Sequence, residues 1–119
     1  MNYGLIIKLI LINDESETTE YTLSDMTLSQ QYTKNHDVFV QDFSVRNETG
    51  ALIAEPIAGK FNAFEITLMS RSASDIQMKG ILVVYVDGRM NEVMFLDRDI
   101  PANDKDRFWL GTTLPSEGR

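Results

Sequence analysis

Residues Gly80–Leu96 read GILVVYVDGRMNEVMFL and carry the clearest local structural signal in the sequence. Asp87-Gly88 stands between two runs rich in β-branched and aromatic residues, and Asp-Gly in such a place is typical of a tight type I′ turn. The stretch therefore predicts an antiparallel hairpin with one strand on each side of the Asp-Gly pair.

Outward from the hairpin, apolar residues keep the period of two that marks β-strands. Phe64, Ile66 and Leu68 share one face of a strand, and the odd positions of Tyr3–Ile12 form an unbroken apolar face. The other predicted strands are Thr19–Leu23, Asp37–Asn47, Ala51–Glu55, Phe61–Met69 and a last one that includes Phe108–Leu110.

Two irregularities interrupt this pattern. The apolar positions of Asp37–Asn47 change parity near Gln41–Asp42, which predicts a β-bulge. Asn47–Gly50 predicts a turn in which Gly50 takes a positive φ.

The strands together indicate the fold class. No segment carries a convincing apolar stripe of period 3.6 over three turns, and the chain has 119 residues. Seven to nine short strands in a chain of this length predict one all-β domain over residues 1–119, an antiparallel β-sandwich of jelly-roll type. A small closed β-barrel is the alternative.

Composition excludes several classes of protein. Hydrophobic residues make up 43% and charged residues 24%, which is typical of a globular chain. The net charge of −7 argues against nucleic-acid binding, which depends on lysine and arginine against phosphates. The apolar run Leu5–Ile12 is too short to span a membrane, and no signal-peptide pattern surrounds it. With no cysteine, these features predict folding in a cytoplasm.

Two predicted strands are more apolar than a two-layer sandwich requires, because such a strand buries one face and exposes the other. In the first strand the second face carries Ile6, Ile10 and Ile12, and in the hairpin we assign Leu82, Val84 and Val86 to the outward face. Another subunit that covers both faces would explain this, with Trp109 as a further contact. A loop of the same chain, or strand twist at the sheet centre, is the alternative.

Catalytic chemistry finds little support in the residues. His36 is the single histidine, and no nucleophile elbow accompanies it. Glu65 and Glu92 are the best candidates for a carboxylate pair, although strand alternation predicts outward-facing residues at both. We therefore expect a protein that is not an enzyme and needs no cofactor.

The acidic segment Asp97–Asp106 is a candidate calcium loop, since Ca²⁺ takes six to eight oxygen ligands. Arginine and lysine residues interrupt the acidic series, and the spacing of a calcium-binding loop is missing. The segment favours a solvated loop with local ion pairs and no metal. If a cation binds, the candidate ligands are Asp97, Asp99, Asp104 and Asp106.

These observations favour a structural protein that docks on or builds a large symmetric assembly, with further copies of itself, capsid or tail proteins, or both, as its partners. The expected setting is the virion of a tailed bacteriophage, as a capsid decoration protein or a tail or baseplate component, with the cytoplasm as the alternative location. The alternative function is a small module that binds a carbohydrate or peptide through Tyr32, His36 and Trp109.

Overall fold

The computed structural model describes residues 4–24, 29–30 and 37–116, and every regular element among them is a β-strand. In chain order, the nine strands of this part of the chain are β1 Leu5–Ile12, β2 Thr18–Thr22, β3 Ser29–Gln30, β4 Val38–Arg46, β5 Leu52–Ile53, β6 Phe61–Ser70, β7 Ile76–Val86, β8 Arg89–Ile100 and β9 Lys105–Thr113.

The strands form two antiparallel sheets. One has five strands in the order β3-β2-β1-β7-β8, and the other has four in the order β5-β4-β6-β9. The prediction of an antiparallel β-sandwich is confirmed, and the closed barrel is wrong because the described strands pair in two separate sheets.

The Asp-Gly hairpin forms as predicted, with Asp87 at φ 52° and Gly88 at φ 81°. Both strands run further than the sequence indicated, since β7 begins at Ile76 and β8 continues to Ile100. The pairing of β7 with β8 shifts by one residue at Asn91, which lies unpaired between Met90 and Glu92.

The two predicted irregularities are present in the structure. The register between β4 and β6 shifts between Val40 and Asp42, so Gln41 is the bulged residue. The bulge moves the inward face of β4 from Val40 to Phe43, as the change of parity required. Gly50 has a φ of 88° and closes the turn that follows β4.

The inner faces of both sheets form the hydrophobic core. In the five-stranded sheet Leu9 lies opposite Leu82, Ile7 opposite Val84, and all four side chains are at most 1% exposed. From the four-stranded sheet, Phe64, Ile66 and Leu68 reach the same cluster, as their shared parity predicted.

Polar contacts close one edge of the sandwich, where the chain crosses from β8 to β9. Arg98 on β8 donates two hydrogen bonds to Asp106 on β9, at 2.7 and 2.9 Å. Further along the same edge, Thr112 donates to Glu92 at 3.2 Å. These contacts tie the last strand of one sheet to the last strand of the other.

Candidate functional site

The outer face of the five-stranded sheet carries an apolar surface built by three adjacent strands. The pairing register places Ile10, Ile81 and Phe95 side by side across β1, β7 and β8, because directly opposed residues share a face of the sheet. Neighbouring rows add further side chains. We call this set the apolar face: Ile6, Ile10, Ile81, Val83, Tyr85, Val93 and Phe95.

Exposure varies across the apolar face. Phe95 is 79% exposed and Ile6 is 40% exposed, whereas Val83 is only 3% exposed although it points outward. Val83 lies between Lys8 and Val93 in the register, so the neighbouring strands shield it. The exposed apolar surface therefore lies in two rows of the sheet, one with Phe95 and one with Ile6 and Met90, which is 62% exposed and lies opposite Tyr85.

Charged and polar side chains border the apolar face. The Lys8 ammonium lies 3.1 Å from the Glu20 carboxylate and 6.0 Å from the centre of the Tyr85 ring. On the opposite border Gln77 donates to Asp97 at 2.8 Å. An apolar centre with a polar rim is typical of protein–protein interfaces.

The predicted docking residues fall in three different places. Ile6, Ile10 and Ile12 do lie on the outer face of β1, as the sequence indicated. The assignment of Leu82, Val84 and Val86 is wrong, since these residues lie opposite inward-facing residues of β1 and contribute to the core. Both faces of β7 are apolar, so alternation along β7 alone could not show which one is outside.

Trp109 lies on the outer face of the four-stranded sheet, away from the apolar face. Its side chain is 53% exposed, and the Arg46 guanidinium lies 5.4 Å from its ring centre. Trp109 pairs with Glu65 on β6, which is 7% exposed. The sequence had assigned Trp109 to one interface with the outer faces of Leu5–Ile12 and Ile81–Val86, and the sheet topology places Trp109 on the other sheet.

Glu65 is the centre of a polar network on that face. Its carboxylate accepts hydrogen bonds from Ser44 at 3.1 Å and from Arg46 at 3.3 Å, and it lies 3.4 Å from the Nε of Arg107. We call Ser44, Arg46, Glu65, Arg107 and Trp109 the polar network. Sequence reasoning missed it, because its members come from three strands whose pairing the sequence does not show.

The residues weighed for catalysis do not come together. Glu65 points outward from the four-stranded sheet, whereas Glu92 bonds Thr112 at the edge between β8 and β9. His36 and Tyr32 lie outside the described residues. A groove of about 450 Å³ lies at the hairpin end, and Asp87 is the one carboxylate among the described residues that line it.

The candidate calcium loop is also not a loop. Asp97 and Asp99 belong to β8, and Asp106 belongs to β9, so a turn of four residues replaces the predicted segment. Asp106 binds Arg98, and Asp104 accepts a hydrogen bond from the Lys105 amide at 2.8 Å. Within residues 4–24, 29–30 and 37–116, no cluster of three histidine, aspartate or glutamate residues is placed to hold a metal ion.

No protein-family model, curated protein or solved structure matches this chain. In the part of the chain that the structure describes, no helix has the length and apolar character to cross a membrane.

Proposed function

We propose that this protein is a structural subunit, not an enzyme, that docks through the apolar face onto another protein of a larger symmetric assembly. The observation that carries the proposal is the row Ile10, Ile81 and Phe95 on three adjacent strands, with Phe95 79% exposed. Single exposed apolar residues are ordinary on protein surfaces, but a contiguous apolar patch indicates an interaction site.

The chemistry of the face defines the partner. A complementary surface would present apolar side chains opposite Phe95 and polar groups opposite the rim that Lys8, Glu20 and Asp97 provide. Burial of a large apolar side chain contributes about 1.5–3 kcal/mol, so a few such contacts would supply useful binding energy. The partner is thus a folded protein surface, with neither nucleic acid nor lipid required.

The proposed setting is the particle of a tailed bacteriophage, with the chain as a capsid decoration protein or a tail or baseplate component. What supports this setting is the class of molecule: a small, acidic, cysteine-free β-sandwich with an apolar outer face. The proposed location is accordingly the virion, after synthesis in a host cytoplasm.

The test combines sedimentation with mass spectrometry. A lysate from the native source is fractionated by size, and the chain should sediment with particles of megadalton mass in fixed ratio to their major protein. The variants Ile10→Asp and Ile81→Asp should remain folded but leave the particle fraction. Thr18→Asp is the matched control, since Thr18 lies opposite Ile12 on the same face but is exposed and polar.

The outcomes separate the possibilities clearly. A wild-type chain that stays near 13.5 kDa or in a small oligomer contradicts the assembly function. Wild-type incorporation that Ile10→Asp and Ile81→Asp leave unchanged contradicts the apolar face as the docking surface.

A second candidate function is the binding of a carbohydrate or peptide at Trp109. The specific observation is an exposed indole that Arg46 holds at one side, which offers a stacking surface next to a cationic group. Because Trp109 is the single tryptophan, a bound ligand would change the intrinsic fluorescence directly. Titration with a glycan and peptide panel tests this, and Trp109→Ala should abolish any binding observed by calorimetry.

A further inference from the structure

The sheet edges of this protein differ in how well they resist pairing with another strand. Exposed edge strands offer free backbone donors and acceptors, and proteins commonly protect them by shortness or by lysine and other charges. Edge strands β3 and β5 have two residues each, and β9 presents Lys105 and Arg107 on its outer face. Strand β8 has twelve residues, contains no proline and exposes Phe95, and its outward aspartates, Asp97 and Asp99, both lie on one side of Phe95.

We propose that two copies of this chain pair antiparallel through β8, with Phe95 of each copy on the two-fold axis. The two five-stranded sheets would then form one continuous sheet. The proposal deepens the proposed function, since it names a second copy as the first partner in the assembly, and it rests on that function only for its biological purpose.

Face parity limits the possible registers. In a continuous antiparallel sheet, directly opposed residues share a face, so outward residues of β8 must meet outward residues of the second copy. Val93, Phe95 and Asp97 point outward and Met94, Leu96 and Arg98 point inward. The central residue of a symmetric pairing is therefore opposite itself, and neighbouring residues pair at equal distances from it.

Charge selects the register centred on Phe95. This register places Glu92 of one copy opposite Arg98 of the other, twice, so that opposite charges meet at both ends, although it also sets each Asp97 against a Val93. A register centred on Met94 instead sets Glu92 against Leu96, and a register centred on Val93 sets Glu92 against Met94. Opposite charges in directly opposed positions stabilise a strand pair, whereas a charge opposite an apolar residue contributes no such attraction.

Inward-pointing charges can also protect an edge, and β8 carries two of them. Both already have partners within their own copy, because Arg98 binds Asp106 and Glu92 accepts from Thr112. The Arg98 side chain remains 38% exposed, which leaves room for a second carboxylate. The charges therefore close the sandwich edge without blocking the backbone of β8.

On the outer face, this pairing would bring apolar side chains of the two copies together. Two copies of Phe95 would meet on the axis, and aromatic pairs across strands are favourable. The apolar faces of both copies would lie on the same side of the joined sheet, next to each other. A docking partner would then meet one surface of twice the extent.

The absence of cysteine makes the register directly testable. Phe95→Cys places one thiol at the axis, where the paired Cα atoms would lie about 4.5–5.5 Å apart, within disulfide range. In the same register the two copies of Val93 would be about 14 Å apart, from the strand rise over four residues combined with the spacing between the strands. With copper–phenanthroline as the oxidant, Phe95→Cys should form a covalent dimer and Val93→Cys alone should not.

A mixture of Val93→Cys and Asp97→Cys chains sharpens the test, because these two positions oppose each other in the proposed register. The mixture should give the heterodimer, and each variant alone should stay monomeric on a non-reducing gel. Efficient cross-linking of Val93→Cys alone, or none by a folded Phe95→Cys, overturns the proposal.

Light scattering of the unmodified chain gives an independent measurement. The mass should rise with concentration toward twice 13.5 kDa, and Phe95→Lys should hold it at the monomer value by placing two like charges on the axis. Leu52→Lys is the matched control, since Leu52 is 62% exposed on the other sheet and should not change the mass. A wild-type chain that stays monomeric, or a Phe95→Lys variant that dimerises normally, contradicts the pairing.

Failure of this proposal can be distinguished from failure of the docking function. Cross-linking at Phe95 with unchanged incorporation of Ile10→Asp into particles would keep the dimer and reject docking through the apolar face. Loss of Ile10→Asp from particles without cross-linking at Phe95 would keep the docking surface and reject the dimer.

Discussion

The outer faces of the two sheets differ in how they cover their apolar atoms. On the four-stranded sheet, Arg46 lies over Trp109 and Arg71 lies 4.7 Å from the centre of the Phe39 ring, so long polar side chains cover the aromatic surfaces. On the five-stranded sheet, Phe95 lies opposite Ile81 and Ile6 lies opposite Tyr85, and both Phe95 and Ile6 remain exposed.

The difference indicates which outer sheet face the rest of the chain leaves uncovered for a partner. Arginine side chains can shield apolar surface with their stems while the charged group stays in water. The four-stranded sheet uses this device and anchors two arginines on the buried Glu65. The five-stranded sheet has a single comparable contact, Lys8 beside Tyr85, among the residues described for it.

The largest expected effect distinguishes the two faces of β7. Val84→Asp should lower the free energy of unfolding by more than about 4 kcal/mol, because it places a carboxylate in the core. Ile81→Asp, on the outer face, should cost about 1 kcal/mol, within the range of strand propensities. Urea denaturation followed by circular dichroism measures both. Equal stability of the two variants would contradict the assignment of the faces.

The next largest effect is the loss of stability when a glycine in each sheet is replaced by alanine. A Cβ at Gly80 would lie 2.6 Å from the Ile10 carbonyl oxygen, a backbone atom that cannot move without disturbing the pairing of β1 with β7. Gly80→Ala should therefore cost about 1–3 kcal/mol.

Gly111 is the control for this prediction. A Cβ there would meet the Phe61 ring at 2.4 Å, but Phe61 is 44% exposed and its ring can turn outward. Gly111→Ala should cost less than Gly80→Ala, since movement of one side chain relieves the closest contact and the Asn62 carbonyl oxygen, at 3.2 Å, has to shift only slightly. If Gly111→Ala melts at a lower temperature than Gly80→Ala, the surroundings of Gly111 are the less able of the two to accommodate a methyl group.

A third comparison concerns the ion pairs of the two outer faces. Glu65→Gln should cost about 1–3 kcal/mol, because Arg46 and Arg107 lose a carboxylate that is 7% exposed. Glu20→Gln removes the partner of Lys8, where both side chains are more than a third exposed, and should cost less than about 1 kcal/mol. Chemical denaturation at low and high salt checks both values, and the reverse order would contradict the network.

Local pattern accounts for much of the fold. The Asp-Gly turn, the bulge at Gln41 and the shared face of Phe64, Ile66 and Leu68 were all predictable, because turn chemistry and period-two alternation act over a few residues. The extension of β8 to Ile100 was not, since Asp97, Arg98 and Asp99 resemble a polar loop. Asp97 accepts a hydrogen bond from Gln77 and Arg98 donates to Asp106, and only the tertiary fold brings these partners near.

The candidate surfaces were only partly predictable for the same reason. The apolar excess of β1 and β7 indicated an exposed face, but β7 is apolar on both sides, and a shift of one residue exchanges the faces. Pairing with β1 decides the matter by placing Leu82 opposite Leu9. Phe95 is the most exposed of the large apolar side chains described, and only the pairing of β7 with β8 shows that it lies beside Ile81.

The smallest expected effect concerns Tyr21, which faces the core from β2 of the five-stranded sheet. Burial raises the pKa of its phenol above the usual value near 10, and the nearby backbone of Val40, on the other sheet, opposes this in part. Above pH 10 the unfolded chain therefore releases the Tyr21 proton before the folded chain does. The free energy of unfolding should then fall as the pH rises, by at most about 1.4 kcal/mol per pH unit from this group.

Tyr21→Phe removes that contribution, so its stability should fall less steeply than that of the wild type between pH 9 and 11. Urea denaturation at each pH measures the two curves. Parallel curves for Tyr21→Phe and the wild type would show that the phenol does not titrate differently in the folded chain.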